Sequence, residues 1–179
     1  MENLQEILNC NPTAVTQSVK KGEILQHADE QNITAFYVKS GLLRSYLIDS
    51  KGKEHVYMFA PEGWVIGDIE AMEFEQPAQL FIDCLEDSEV IAFKNNELFH
   101  LDLDKENLAA SGQLLYRRIG RLQRRVLMLM GAPIIDRYQY FLKTYPDLPN
   151  RVPQHMIASF LGVMPQTLST VRAKLAKAK

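Results

Sequence analysis

Apolar positions follow three different rhythms along the chain. From residue 13 to about 94 they come in short β-rich runs: TAFYVK (34–39), LLRSYLI (42–48), HVYMFA (55–60), QLFIDCL (79–85) and EVIAF (89–93). Turn pairs separate them, at Lys21-Gly22, Ser40-Gly41, Lys51-Gly52 and Glu62-Gly63. Gly41, Gly52 and Gly63 stand 11 residues apart, a spacing that predicts an antiparallel sandwich or roll. Asp49-Ser50-Lys51-Gly52 reads as a hairpin loop, because glycine supplies a positive φ without steric cost.

Residues 104–130 change to a helical rhythm. Leu108, Leu115, Ile119, Leu122, Val126 and Leu129 recur mostly at steps of four and three, a narrow seam suited to a two-stranded coiled coil. Two readings stay open, a dimer seam and a stripe packed on the roll; a short DNA reader that needs two half-sites favours the dimer. After Gly131-Ala132-Pro133, the run 136–148 predicts a short helix with Tyr138, Phe141 and Leu142 on its apolar side. Pro133 marks a hinge before it, and Pro146 and Pro149 mark its exit.

The third rhythm is the most specific. In QHMIASFLGVMPQTLSTVRAKL (154–175), Ile157, Ala158 and Leu161 share one face of a short helix that Gly162 ends. Leu168, Val171 and Leu175 then mark the buried face of a second helix. A small residue at a steep crossing, a glycine turn and apolar locking positions are the requirements of a helix-turn-helix. With those positions inside, Gln166, Thr167, Ser169, Thr170 and Ala173 point outward, and Arg172 and Lys174 flank them. Gln166 suits bidentate pairing with adenine, Ser169 and Thr170 looser readout, and Arg172 and Lys174 phosphate contacts. Pro165 fits the first helical position, after a Met164 that offers no side-chain cap.

Charge strengthens this reading. Residues 1–110 carry 8 Lys/Arg against 20 Asp/Glu, whereas residues 111–179 carry 12 against 2, so a net charge of -2 hides an acidic half and a basic half. Clustered cations beside a helix-turn-helix predict double-stranded DNA as partner. Arg117, Arg118, Arg121, Arg124 and Arg125 share the long helix, as a solvated flank or as contacts to an anionic partner.

Hydrophobic content of 46% is ordinary for a globular chain. No signal peptide and no stretch of about 20 apolar residues is visible, which predicts a cytoplasmic protein without a membrane role. Cys10 and Cys84 are far apart, the four histidines are scattered, and neither a metal site nor a cofactor is expected. No nucleophile–base pair or phosphate loop points to catalysis. The acidic run Asp68, Glu70, Glu73 and Glu75 reads as a solvated loop.

The order of parts resembles the CRP/FNR family of bacterial transcription regulators. The resemblance rests on KKGEIL (20–25), YVKSGLLRSYLID (37–49), PEGWVIGDIE (61–70), LEDSEVIAF (85–93) and the run 136–175. It implies an α+β chain: an antiparallel β-roll (double-stranded β-helix or jelly roll) of the cyclic-nucleotide-binding type over 1–103, a dimerisation helix over 104–132, and a C-terminal helix-turn-helix domain over 133–179. It also implies a homodimer that controls transcription and an effector that reorients the paired reading heads.

Departures from the family pattern limit what carries over. Cyclic-nucleotide binders of this family meet the ribose with a Gly-Glu pair and clamp the phosphate with Arg-Ser or Arg-Thr about ten residues later. Here Gly67-Asp68 stands at the pair, and Gln76-Pro77-Ala78-Gln79 offers no cation. Losing a charge-assisted clamp costs several kcal/mol, which argues against tight cyclic AMP or cyclic GMP binding. The effector candidates are therefore Gly67, Asp68, Ala78 and Gln79, with Arg121 and Arg124 as substitute cations. An unidentified effector and a purely structural roll both remain open. The chain ends at Lys179 without residues for a β-wing, leaving Lys174, Lys177 and Lys179 as a basic tail, and Cys10 alone cannot hold an iron–sulfur cluster. An alternative reading is a ligand-sensing or protein-interaction module whose terminal helices dock a protein.

Overall fold

A computed structural model describes residues 15–94 and 105–177 of the 179. Cys10, His100 and Lys179, and the side chain of Leu108, lie outside the described residues. The chain forms two compact units that divide at residues 113 and 114, with 54–56 counted in the second. Each unit is considered by itself.

The first unit is an antiparallel, jelly-roll-like fold of two four-stranded sheets. In chain order the strands are β1 (Thr16–Val19), β2 (Ile24–Gln26), β3 (Thr34–Ser40), β4 (Leu43–Ile48), β5 (Glu54–Ala60), β6 (Val65–Ile66), β7 (Phe81–Cys84) and β8 (Ser88–Lys94), with helix α1 (Ile69–Glu73) between β6 and β7. One sheet runs β1-β8-β3-β6 and the other β2-β7-β4-β5. The five apolar runs each supply a strand; β1, β2, β6 and α1 are too short to announce themselves by periodicity.

The main core lies between the sheets. Phe36, Val38, Ile66 and Val90 from one sheet meet Leu43, Met58, Ile82 and Cys84 from the other. The opposite face of β3 is covered as well, since Ala35 and Tyr37 pack with Val65, Ile91, Phe93 and with Ala71 and Met72 of α1. A strand buried on both faces reads as the continuous apolar run seen at 34–38 rather than as an alternation. Gly41, at φ +92°, sits where a Cβ would strike the Ser88 side chain and the Asp87 carbonyl oxygen at 2.7 Å. Only glycine fits there.

The β2-β7-β4-β5 sheet also carries a buried ion pair. Arg44 of β4 lies opposite Asp83 of β7. Its Nε donates to Oδ1 at 2.9 Å and its Nη2 to Oδ2 at 2.9 Å. The guanidinium lies 4.1 Å from the centre of the Tyr46 ring, and Tyr46 stacks on Phe81. Arg44 is 5% and Asp83 9% exposed. Each charge is isolated in an otherwise apolar strand, LLRSYLI and FIDC, and that oddity was the available signal.

The long helix α2 spans Lys105–Gly131, followed by α3 (Ile134–Thr144), α4 (Leu148–Arg151), α5 (Gln154–Phe160) and α6 (Pro165–Lys177). The seam residues Leu115, Ile119, Leu122, Val126 and Leu129 are each 37% to 55% exposed. They form an apolar stripe left uncovered in the single chain. The helix expected from residue 136 begins at Ile134, buries Tyr138 and Phe141, and leaves Leu142 half-buried. Tyr145, Phe141 and Phe160 continue an aromatic cluster with ring centres 5.4 to 5.8 Å apart. Among the described residues, no helix is long and apolar enough to cross a membrane.

Candidate nucleic-acid interface and roll site

The terminal helices owe their geometry to local chemistry. Pro153 precedes α5 with φ -59° and ψ 143°, outside the helical region, so the helix starts after it. At the other end, Gly162 N–H donates to the Ser159 carbonyl and Val163 N–H to the Ala158 carbonyl, both at 3.0 Å. With Gly162 at φ +68°, this pair of bonds is a Schellman ending, which turns the chain sharply. The Met164 carbonyl accepts from Leu168 N–H at 3.2 Å and opens the ladder of α6, whose first residue is Pro165.

Packing then fixes which face of α6 is hidden. Ile157 and Ala158 of α5 and Leu168 of α6 are 0% exposed, and Val171 is buried with them. Leu175, expected in the core, is only half-buried, because it lies in the last turns where fewer neighbours remain. Gln166, Thr167, Ser169, Thr170 and Lys174 are exposed. The Ser169 hydroxyl donates to the Pro165 carbonyl at 3.1 Å and the Thr170 hydroxyl to the Gln166 carbonyl at 3.0 Å. Both hydroxyls therefore keep only acceptor capacity toward a ligand unless they rotate. Arg172 is half-buried, and its Nη1 is enclosed without a hydrogen-bond partner.

Two arginines turn out to be packing residues. Arg125, expected on a solvated flank or against an anionic partner, is half-buried, with its guanidinium 4.1 Å above the Phe160 ring and donating to the Phe160 carbonyl at 3.4 Å. Arg137 donates to the Ala132 carbonyl at 2.9 Å and, through Nη1, to the Leu161 carbonyl at 3.2 Å. A cation at that carbonyl complements the C-terminal end of α5. Arg117, Arg121 and Arg124 are exposed on α2, with Arg124 5.6 Å from the Tyr140 ring centre. Burial pushes the Tyr145 hydroxyl above its ordinary range, against the pull of Arg125.

In the roll, Gly67, Asp68 and Ala78 are buried and Gln79 is exposed. A Cβ on Gly67 would come 3.1 Å from the Ala35 Cα, so glycine lets this backbone press against β3. Asp68 is the N-cap of α1; its Oδ1 accepts from Ala71 N–H at 3.2 Å. Its Oδ2 accepts from Gln79 N–H at 2.8 Å and Leu80 N–H at 3.0 Å. Three of the expected effector residues (Gly67, Asp68 and Ala78) thus serve the fold directly, and Gln79 does so through its backbone. Arg121 and Arg124 belong to the second unit. Gln26, unmarked by any sequence pattern, is 1% exposed and donates through Nε2 to the Leu80 carbonyl at 2.9 Å. Cys84 is a core thiol, pushed up to about 12 by burial and by the nearby Glu23 and Asp83 charges, and so is unreactive at neutral pH.

Comparison with known proteins agrees with this architecture. Residues 16–102 match the family described as cyclic nucleotide-binding domain. No curated protein matches the sequence. Among solved structures, FixK2 from Bradyrhizobium japonicum superposes with a TM-score of 0.72 at 19% identity, over 93% of this chain and 86% of that one. TTHA1359, a transcriptional regulator of the CRP/FNR family from Thermus thermophilus, gives 0.68 at 20% identity, over 92% and 87%. The c-di-GMP responsive global regulator CLP of Xanthomonas campestris gives 0.67 at 17% identity, over 99% and 92%. Residues 16–102 are thus similar to domains of the cyclic nucleotide-binding type, and the chain shares its fold with solved structures that include a transcriptional regulator of the CRP/FNR family and a c-di-GMP responsive global regulator.

Proposed function

We propose that this chain is a non-catalytic, sequence-specific DNA-binding transcription regulator, acting as a homodimer in the cytoplasm. The observation that carries the reading is the division of α6 into two faces. Leu168 and Val171 are hidden, while Gln166, Thr167, Ser169, Thr170 and Lys174 are exposed on a helix of 13 residues. Such a helix is about 20 Å long and of a width that a major groove accepts. Gln166 reads a base edge, Thr167, Ser169 and Thr170 contribute looser contacts, and Arg172 and Lys174 hold phosphates. The α6 start, which lacks a side-chain cap acceptor at Met164, leaves backbone N–H groups for a further phosphate.

The uncovered stripe from Leu115 to Leu129 supports a dimer through α2, since paired helices would bury it. Two reading heads then meet half-sites about one helical turn, roughly 34 Å, apart. The roll senses a small-molecule effector near Gly67, Asp68, Ala78 and Gln79 and does not bind cyclic AMP tightly.

The test is binding to random and selected duplexes at two salt concentrations. The regulator reading expects selected sequences to win by a factor that survives added salt, over a non-specific background that salt removes. Equal affinity for every duplex would refute sequence readout.

A further inference from the structure

Asp68 is 3% exposed, and the three partners of its carboxylate are all backbone N–H groups, at Ala71, Gln79 and Leu80. Two successive N–H groups, those of Gln79 and Leu80, converge on the single oxygen Oδ2. Converging backbone donors of this kind form a cradle suited to an anion of any origin. The rest of the segment is committed too. Ala78 N–H donates to the Glu30 carbonyl at 2.8 Å, and Asp29 N–H donates to the Ala78 carbonyl at 2.7 Å. The Leu80 carbonyl accepts from Gln26. No residue from Gln76 to Leu80 carries a positive charge.

We infer that Asp68 is the resident anion of the roll: its carboxylate fills the donor cradle of Gln79 and Leu80, so that the domain as folded takes no cyclic phosphate. The residues present therefore do not fit the nucleotide named by the matched domain type. An incoming phosphate would compete for two N–H groups with a carboxylate tethered beside them, which needs no translational entropy to stay. It would also meet that negative charge at close range with no cation to offset it. Gly67 lets the preceding backbone press against Ala35, which fixes the point from which the Asp68 side chain starts. An effector of the roll accordingly places no phosphate on the Gln79 and Leu80 N–H groups. This deepens the effector part of the proposed function and rests on the roll being the sensing domain.

The experiment uses the full chain, its Asp68→Gly and Asp68→Asn variants, and three probes: cyclic AMP, inorganic phosphate and formate. In the unaltered protein, none of the probes should shift the melting temperature by more than about 1 °C. Nor should cyclic AMP move the backbone amide resonances of Gln79 and Leu80. Asp68→Gly should melt several degrees lower, about 5 °C, and regain much of that loss with formate or phosphate in a saturable way. Asp68→Asn, whose amide oxygen still sits in the cradle, should show no such rescue. Absence of rescue in a folded Asp68→Gly, or the same anion response in all three proteins, overturns the inference. So does movement of the Gln79 and Leu80 resonances on adding cyclic AMP to the unaltered protein, a readout that stands even where Asp68→Gly does not fold. DNA binding is measured separately on the same preparations, so its failure would strike the regulator reading and leave the anion result intact.

Discussion

The two units of this chain handle charge in opposite ways. In the roll, Arg44, Asp83 and Asp68 are buried, and each is satisfied from within, by a partner across the sheet or by backbone N–H groups. In the helical unit, Arg117, Arg121, Arg124, Lys174 and Lys177 are exposed, and residues 111–179 hold 12 cations against 2 anions. The contrast has a physical basis. A buried charge costs several kcal/mol unless it is fully partnered, so internal charges serve the fold. An exposed surplus of one sign costs little by itself and creates a long-range field toward a polyanion. Within the helical unit Arg125 and Arg137, two of the cations drawn inward, are given a ring or a carbonyl, whereas the enclosed Nη1 of Arg172 has no partner.

The largest expected effect breaks the roll side of that contrast. Arg44→Met strands a buried carboxylate at Asp83 and should destabilise the roll by about 3–5 kcal/mol in urea denaturation. The double variant Arg44→Met with Asp83→Leu should recover most of the loss. A single variant as stable as the parent would mean that the pair is not internal.

On the helical side, Ile119→Glu together with Val126→Glu should convert a dimer to a monomer in sedimentation velocity and lower duplex affinity at least about tenfold, since two half-sites no longer act together. A dimer that persists would assign the exposed stripe another role. Gln166→Ala should cost about 1–3 kcal/mol on the selected duplex and relax preference at one position per half-site, measured by competition among single-base variants. Lys174→Ala should weaken every sequence alike and reduce the salt slope by about one.

The smallest effect concerns an exposed pair on the roll. The Lys21 backbone N–H and the Lys20 ammonium hold the Asp87 carboxyl below its ordinary range. Since the folded value lies below the unfolded one, the contribution is present at neutral pH and is lost as pH falls through and below about 4. Asp87→Asn should therefore leave the melting temperature at pH 7 nearly unchanged and slightly flatten its decline in acid.

Particular residues show what kind of information each level held. The runs at 34–39, 42–48, 55–60 and 89–93 and the step pattern of 115–129 were legible, because burial on a sheet face or a helix stripe writes its period into the sequence. Ile157, Ala158, Gly162 and Leu168 were legible for the same reason, as a turn and two buried faces within a few residues. Arg125 was not, because nothing local says that Phe160 lies beneath it. Nor was the commitment of Asp68, since an acid one residue before a short helix reads as a solvated loop until the backbone of Gln79 and Leu80 is seen to close on it.

By itself, then, the sequence determined the five longer apolar strand runs, the long helix, the final helical pair and the split of charge between the halves, all products of short-range periodicity and composition. The tertiary structure alone decided which charges are enclosed and by whom: Arg44 by Asp83, Arg125 by Phe160, Asp68 by its three N–H groups. The reason is that periodicity is a property of neighbours along the chain. Apart from the local Ala71 N–H at Asp68, satisfaction of these buried carboxylates depends on groups 11 to 39 residues away (Gln79 and Leu80 lie 11 and 12 residues beyond Asp68, Asp83 lies 39 beyond Arg44), which only folding brings to about 3 Å.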